Sequence, residues 1–392
     1  MANRTKLVGG IPINVDQAIE LRKSVFGSAS APPRGEWTRT PLCFCSYKEE
    51  HPYGLRSPKN ASRGLQSVLQ AYIMKHFLFS IRPRGEKKSV PIDILLKPTE
   101  AQQNEALIAA ISEILWNIGE KVKVVIVLTG ETNLIPHSHT YFQDSVTEKL
   151  LLFEFTKLDD LEIFLKRYLY FFCEENGAGA LLFLYSAVLT RTPSKVITDL
   201  DGPKGTYLMG TSEEGSLNIV TLLLTGHATP YLHNGVIYVG DEDHYALPQF
   251  GILSRSSIGL LILENESHAS SLLSRQPGSR LKTPALPIWV SIICGHYGVM
   301  FNSNRELLRN YHAEKRFELH YYTCAGNYLV MTIDNRSQAD NDTMSNNAGN
   351  SNNVPTVSRD DGTTSLISRL IHTKWADAKI SIKGSPSSSL LM

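Results

Sequence analysis

The stretch Tyr53-Gly54-Leu55-Arg56-Ser57-Pro58-Lys59-Asn60-Ala61-Ser62-Arg63-Gly64-Leu65 passes from turn-forming residues into a patterned segment. Beyond it, apolar side chains fall at Leu65, Val68, Leu69, Tyr72, Ile73 and Phe77. That i, i+3, i+4 spacing predicts a helix from Gly64 to Phe79 with one buried face. Unpaired N–H groups and the macrodipole at a helix start favour an anion, and they depress the pKa of a thiol placed there. A cysteine protease needs such a thiolate, a base to make it and donors for the oxyanion. This junction carries Arg63 and no cysteine.

Working outward, Thr99-Glu100-Ala101-Gln102 forms a capping-box pattern for a helix through Leu107, Ile111, Ile114, Leu115 and Ile118, stopped at Gly119. Val122 to Leu128 is a nearly continuous β-branched run, the pattern of a strand buried on both faces. Asp159 to Phe172 and Ala178 to Leu189 read as helices split by Asn176-Gly177, and Ser212 to Leu224 as another ending at Gly226. Strand-like runs then gather at Val236 to Val239, Ile258 to Leu263, Ile288 to Ile293, Tyr297 to Phe301, Phe317 to Tyr322 and Tyr328 to Ile333. Helices early and strands late indicate an α+β fold. Residues 336–364 are rich in Asn, Asp, Ser and Thr with almost nothing to bury, so they read as a disordered insertion. The folded unit is expected over 1–335 and 365–384, with order resuming at the anchors Leu366, Ile367, Leu370, Ile371 and Trp375. Residues 385–392 read as a loose tail.

The whole chain has 392 residues, 42% hydrophobic and 20% charged, the profile of a globular protein with a sizeable core. Its formal net charge of +1 leaves no electrostatic surplus for phosphate contacts, which argues against a general nucleic-acid binder. The most apolar stretch, Leu150 to Leu189, is broken by charges such as Glu154, Asp159 and Lys166, so no membrane span is expected. Met1 to Pro12 has no long apolar run of the secretory kind. Five scattered cysteines (Cys43, Cys45, Cys173, Cys294, Cys324) suit a reducing compartment, which places the protein in the cytosol or nucleus.

Several blocks taken in order resemble the MINDY family of deubiquitinases, in its longer branch. Gly9-Gly10-Ile11-Pro12-Ile13, Phe26-Gly27 and Glu36-Trp37 match its opening. The family's Tyr-Gly-Leu-Val-Gln-Lys-Lys-Gly-Gly-Pro-Cys-Gly-Val aligns without a gap on Tyr53 to Leu65, pinned downstream by Gln70-Ala71-Tyr72 and Leu78-Phe79. Leu222-Leu223-Leu224-Thr225-Gly226, Leu281-Lys282-Thr283-Pro284, Pro287-Ile288-Trp289-Val290, Gly295-His296-Tyr297-Gly298-Val299-Met300-Phe301 and His372-Thr373-Lys374-Trp375 match further blocks. The family's Tyr-Tyr-Asp-Gly has drifted to Tyr321-Tyr322-Thr323-Cys324.

The resemblance implies a papain-like cysteine-protease core acting on Lys48-linked polyubiquitin (the lysine is ubiquitin's), with a cysteine–histidine mechanism and no metal or cofactor. Carried over residue by residue, it puts Arg63 at the nucleophile, Ser57 at the oxyanion glutamine and His296 at the base. It is closest to the inactive B-type member of the fourth branch, so a pseudoenzyme that keeps ubiquitin or Lys48-linked polyubiquitin as a partner is expected. Arginine supplies no nucleophilic lone pair at accessible pH. A guanidinium beside His296 would also disfavour the imidazolium that acyl transfer needs.

Other readings stand beside these. A residual hydrolase would draw on another thiol, Cys294 or Cys45, and on an extended strand Cys294 shares a face with His296. An interaction protein without ubiquitin binding is the remaining alternative. Read blandly, His296 is a core histidine, Cys43 and Cys45 are packing residues of a strand, and Cys173 closes an aromatic helix face. The His137-x-His139 pair lacks further metal ligands nearby. Arg63 either turns away from the cleft or offers its fork to a carboxylate such as the free C-terminus of ubiquitin.

Overall fold

The structure, a computed structural model, describes residues 6–31, 33, 36–46, 49–57, 62–80, 91–210, 217–240, 246–264, 276–336 and 362–383. Most of the expected insertion, 337–361, the expected tail, 385–392, and the first residues of the helix expected from Ser212 lie outside these residues. Strand β1 (Ile11–Pro12) leads into helix α1 (Val15–Phe26), opened by an Asn14–Gln17 capping box and closed by Gly27 at φ 80°. Helix α2 (Arg63–Lys75) forms where the periodicity placed it and continues through a π turn, His76–Ser80. One short turn, α3 (Ile92–Leu95), precedes α4 (Glu100–Ile118), which has the predicted reciprocal Thr99–Gln102 capping box and ends at Gly119.

The β-branched run becomes β2 (Val124–Thr129), paired antiparallel with β3 (Leu150–Phe155), and β3 pairs in turn with β1. Then come α5 (Leu158–Tyr168), α6 (Tyr170–Cys173), α7 (Gly179–Arg191), α8 (Pro193–Leu200) and α9 (Leu217–Thr225). The single sequence-predicted helix over Asp159 to Phe172 is therefore two. Strand β3 and helices α1 and α8 are not among the elements predicted above. Among the described residues no helix is long and apolar enough to cross a membrane.

A hairpin, β4 (Val236–Val239) with β5 (Leu247–Phe250), stands apart from the main sheet. The main sheet has six strands: β6 (Gly259–Leu263), β7 (Ile288–Ile293), β8 (His296–Phe301), β9 (Arg316–Tyr322), β10 (Tyr328–Asp334) and β11 (Lys379–Lys383). Their order is β11-β10-β9-β8-β7-β6; β6 runs parallel to β7 and every other pair is antiparallel. Two turns, α10 (Ser279–Lys282) and α11 (Tyr311–Lys315), and a last helix, α12 (Gly362–His372), complete the chain.

All six residues of β7 are buried because the sheet is covered on both sides. Ile288, Val290 and Ile292 join the large core that holds α2, α4, α7 and α9, whereas Trp289 and Ile293 join a second core with Ile367, Leu370 and Ile371 of α12. Alternation along the strand assigns each side chain to one core or the other. The α+β architecture read from the sequence is the architecture found.

Candidate functional site

Helix α2 is buried along eleven of its thirteen residues, from Gly64 to Met74. The two exceptions are its end residues, Arg63 and Lys75. Ser62 occupies the N-cap but its side chain makes no capping bond, and the first turn holds no acidic residue. Arg63 therefore sets a cation at the positive end of the helix, an arrangement unfavourable by about 0.3–1 kcal/mol. Arg63 is half-buried, and its Nε is shielded without a hydrogen-bond partner among the described residues. The Ser62 hydroxyl, in a residue 1% exposed, is also unpartnered among the described residues.

Gln70, two turns further along α2, holds the preceding segment against the helix. Its Oε1 accepts the Leu55 N–H at 2.6 Å and its Nε2 donates to the Tyr53 carbonyl at 3.1 Å. The Tyr322 hydroxyl donates to the Leu55 carbonyl at 3.2 Å, and it lies so close over Gly54 that a Cβ there would collide with it. The Ser57 N–H donates to the Cys324 carbonyl at 2.9 Å. These bonds tie Ser57 to the turn after β9 and the Tyr53–Leu55 segment to α2. A Gln70→Leu variant strands two buried backbone groups. We expect it to lose about 2–6 kcal/mol of stability in urea titrations, at about 1–3 kcal/mol per orphaned group, whereas a loss within about 0.5 kcal/mol would be the ordinary surface value and would refute the clamp.

The base position comes from the other side of the cleft. Gly64, the residue after Arg63, has Tyr297, the residue after His296, directly against it: a Cβ at Gly64 would lie 3.2 Å from Tyr297 Cε1. The start of α2 and the start of β8 are thus brought together. His296 pairs across the hairpin with Ile293, a residue of the second core, whereas Tyr297 belongs to the first. By alternation, Tyr297 is the β8 residue on the α2 side of the sheet. The His296 Nδ1 is buried without a partner among the described residues, so none of them supplies the hydrogen bond that orients a general base at that nitrogen.

The thiols do not gather at one point: Cys43 donates to the Cys173 carbonyl at 2.8 Å, and Cys45 lies 3.9 Å from the Tyr322 hydroxyl. Cys294 and Gly295 have φ 51° and 90° and form the two-residue turn between β7 and β8. Cys294 is therefore not on an extended strand and does not share a strand face with His296; that expectation is corrected by the turn. It packs against the second core, and burial raises its thiol pKa. Burial likewise raises Cys43 and Cys45. Phe44, between them, makes only an isolated bridge to Leu55, so the pair flanks a bridge rather than lying in a strand. Cys173, against the large core, is pushed up to about 12 by burial. The His137 ring meets Phe142 edge-on at 5.5 Å, and among the described residues no metal-ligand group forms there.

Cys324 is the cysteine the sequence reading passed over. It is 5% exposed, and its carbonyl accepts from Ser57. Burial pushes its thiol up to about 12, against the Ser67 hydroxyl and the Arg63 guanidinium, which pull it down. Gln70 was also passed over as a functional residue; its signal was a glutamine on a helix face otherwise set for burial.

The conserved-domain model described as "Deubiquitinating enzyme MINDY-3/4, conserved domain" matches residues 22–384. The chain belongs to the MINDY-3/4 family. It is 29% identical over 377 residues to the probable ubiquitin carboxyl-terminal hydrolase MINDY-4 of Mus musculus, covering 95% of this chain and 47% of that protein. It is 28% identical over 377 residues to its Homo sapiens counterpart, with 95% and 46% covered. A shorter match, 34% identity over 134 residues, reaches the ubiquitin carboxyl-terminal hydrolase MINDY-3 of Xenopus tropicalis, covering 34% of this chain and 28% of that protein. The chain spans about half the length of the MINDY-4 relatives it matches. No solved structure matches it.

Proposed function

We propose that this MINDY-3/4 chain is a pseudoenzyme of the inactive B-type, in the fourth branch, that binds ubiquitin or Lys48-linked polyubiquitin without cleaving it. The observation that carries the reading is Arg63 as the first residue of α2, the place where the family's motif has its cysteine. Three further features support it. Ser57 stands where the motif has the oxyanion glutamine. His296 has a buried Nδ1 with no orienting partner. Each of the five cysteines is a free thiol with a raised pKa, so none is poised as a thiolate near neutral pH. Free thiols also suit the cytosol or nucleus.

Arg63 supports a retained role for the cleft. A guanidinium with an unpartnered Nε, beside an uncapped helix start and an unpartnered hydroxyl, is an arrangement that a carboxylate would complete. We assign that carboxylate to the free C-terminus of ubiquitin.

Purified protein at stoichiometric concentration, left overnight with Lys48-linked tetraubiquitin, should leave the chains intact on a gel. The loss of a nucleophile typically lowers the rate roughly a millionfold. Arg63→Ala should then weaken ubiquitin binding about tenfold, as loss of a charge-assisted pair does. Shortened chains that disappear after thiol alkylation would overturn the pseudoenzyme reading, and variants of Cys294 and Cys45 would name the thiol. An unchanged affinity in Arg63→Ala would remove the carboxylate role alone.

A further inference from the structure

Helix α8 ends in an arrangement that its own dipole disfavours. Its last turn holds Asp199 and no basic residue, and its C-cap is Asp201, at φ 45°. Both carboxylates stand at the negative end of the helix, where a cation is the favoured neighbour. Arg191 meets part of that demand. Its Nε and Nη2 donate to Asp199 Oδ2 and Oδ1, each at 2.8 Å, and its Nη1 donates to Glu120 at 2.6 Å. His227 lies 3.6 Å from Asp199. Asp201 is left over: its Oδ2 accepts the Tyr231 hydroxyl at 3.0 Å, and no ion pair among the described residues reaches it.

These groups line a cavity of about 310 Å³, at the small end of the range for ligand sites and scaled to one side chain. Its other wall is formed by Tyr231, Phe250 and Leu253. Phe250 is 56% exposed and Leu253 50%, so that apolar wall continues onto the surface. Burial alone would raise the Asp199 carboxyl, but His227, Arg191 and the Ala228 N–H hold it at about 2, so it stays ionised.

Charge selects the occupant. Three carboxylates, Glu120, Asp199 and Asp201, face the single Arg191 guanidinium, with His227 the other group there that can carry positive charge. Helix end, carboxylates and aromatic faces all call for a cation, and a flat one suits them best. An arginine stacks on aromatic rings and offers a fork to a carboxylate, whereas a compact ammonium has neither plane nor fork. We propose that this cavity receives an arginine side chain of a partner polypeptide, its guanidinium against Asp201 and the rings of Tyr231 and Phe250, with a neighbouring apolar residue of the partner on Leu253. None of the lining residues belongs to α2, and the site stands whether or not the cleft at Arg63 binds ubiquitin.

The test is a titration of the full chain, carrying labelled leucine methyl groups, with N-acetyl-arginine methylamide, read at the Leu253 methyl resonances. Saturable shifts with a Kd of about 1 mM are expected, the scale for one small charged group. The citrulline counterpart keeps the shape and loses the charge, and it should bind about tenfold or more weakly. The arginine probe should lose a similar factor on Asp201→Asn, as when a hydrogen bond to a charged group is removed. Asparagine tolerates the left-handed φ at that position, so this variant should keep the wild-type melting curve. Phe250→Leu changes an exposed side chain and should weaken binding about two- to fivefold, the scale of a lost cation–π contact. Asp16→Asn removes an exposed carboxylate on α1 and should leave Kd within about twofold. Leu253 methyls that do not shift, citrulline that binds as tightly as arginine, or an unchanged Kd in Asp201→Asn would each overturn the site. A lysine counterpart that binds as tightly as arginine would overturn the assignment to a guanidinium.

Discussion

An Arg63→Cys variant should gain one cysteine that reacts with a small disulfide probe at pH 7 about tenfold or more faster than Cys173 or Cys324. Both native thiols sit at about 12, so only about one part in 10⁵ is thiolate at pH 7. A cysteine at the first position of α2 meets the free N–H groups of a thirteen-residue helix with no acid in its first turn. Such positions bring thiols to about 3.5–7.5. The gain in thiolate is then about 10⁴–10⁵, and the lower intrinsic nucleophilicity of a more acidic thiol returns roughly two to four decades of it, which leaves about tenfold to several hundredfold. Cys43, Cys45 and Cys294 are raised as well and should also lag. The pH profile separates the cases: the new thiol reaches its plateau near pH 7, while the native ones keep accelerating through pH 9. Mass spectrometry of the modified peptides reads the result directly. Tetraubiquitin should still survive, because Ser57 does not restore the oxyanion amide and the His296 Nδ1 has no orienting partner. An introduced thiol that reacts no faster than the native cysteines would refute the helix-start account.

Trp375→Ala should cost about 3–5 kcal/mol, the range for an aromatic truncated in a packed core. Trp375 is 4% exposed, meets Trp289 edge-on at 5.7 Å and Phe317 at 5.0 Å, and donates its indole N–H to Glu314 Oε1 at 2.7 Å. It anchors the segment after 337–361 to the far face of the main sheet, beside Ile367, Leu370 and Ile371. Truncation opens a cavity and leaves the Glu314 carboxylate without its donor. The urea midpoint should fall with an unchanged slope, and Trp375→Phe should recover part of the loss because it refills the space without the N–H. A midpoint equal to wild type would mean that this segment does not brace the sheet.

Much of the fold was legible because periodicity is a local property. The 3.6-residue spacing through Leu65, Val68, Leu69 and Tyr72 yielded α2, and the Thr99–Gln102 box fixed the start of α4 to the residue. The β-branched run Val122 to Leu128 read as a buried strand, and the strand found, Val124–Thr129, is shifted by one to two residues. Strand β3 was hidden because Leu150–Phe155 belongs to a long apolar stretch with neither clean alternation nor turn signals. Helix α8 was missed although Pro193 stands at its first position, a start signal overlooked beside the stronger α7 pattern.

By itself the sequence determined the helix start, the absence of a thiol there and the presence of Arg63, since these are matters of residue type and position along the chain. Only the tertiary structure decided which distant groups meet that start. Cys324 comes under the influence of the Arg63 charge because the turn after β9 hydrogen-bonds to Ser57. Tyr297 reaches Gly64 because β8 runs under α2, and Cys294 left the expected face because a two-residue turn needs positive φ. Contacts between residues hundreds of positions apart arise from sheet register and packing, and no local spacing encodes them.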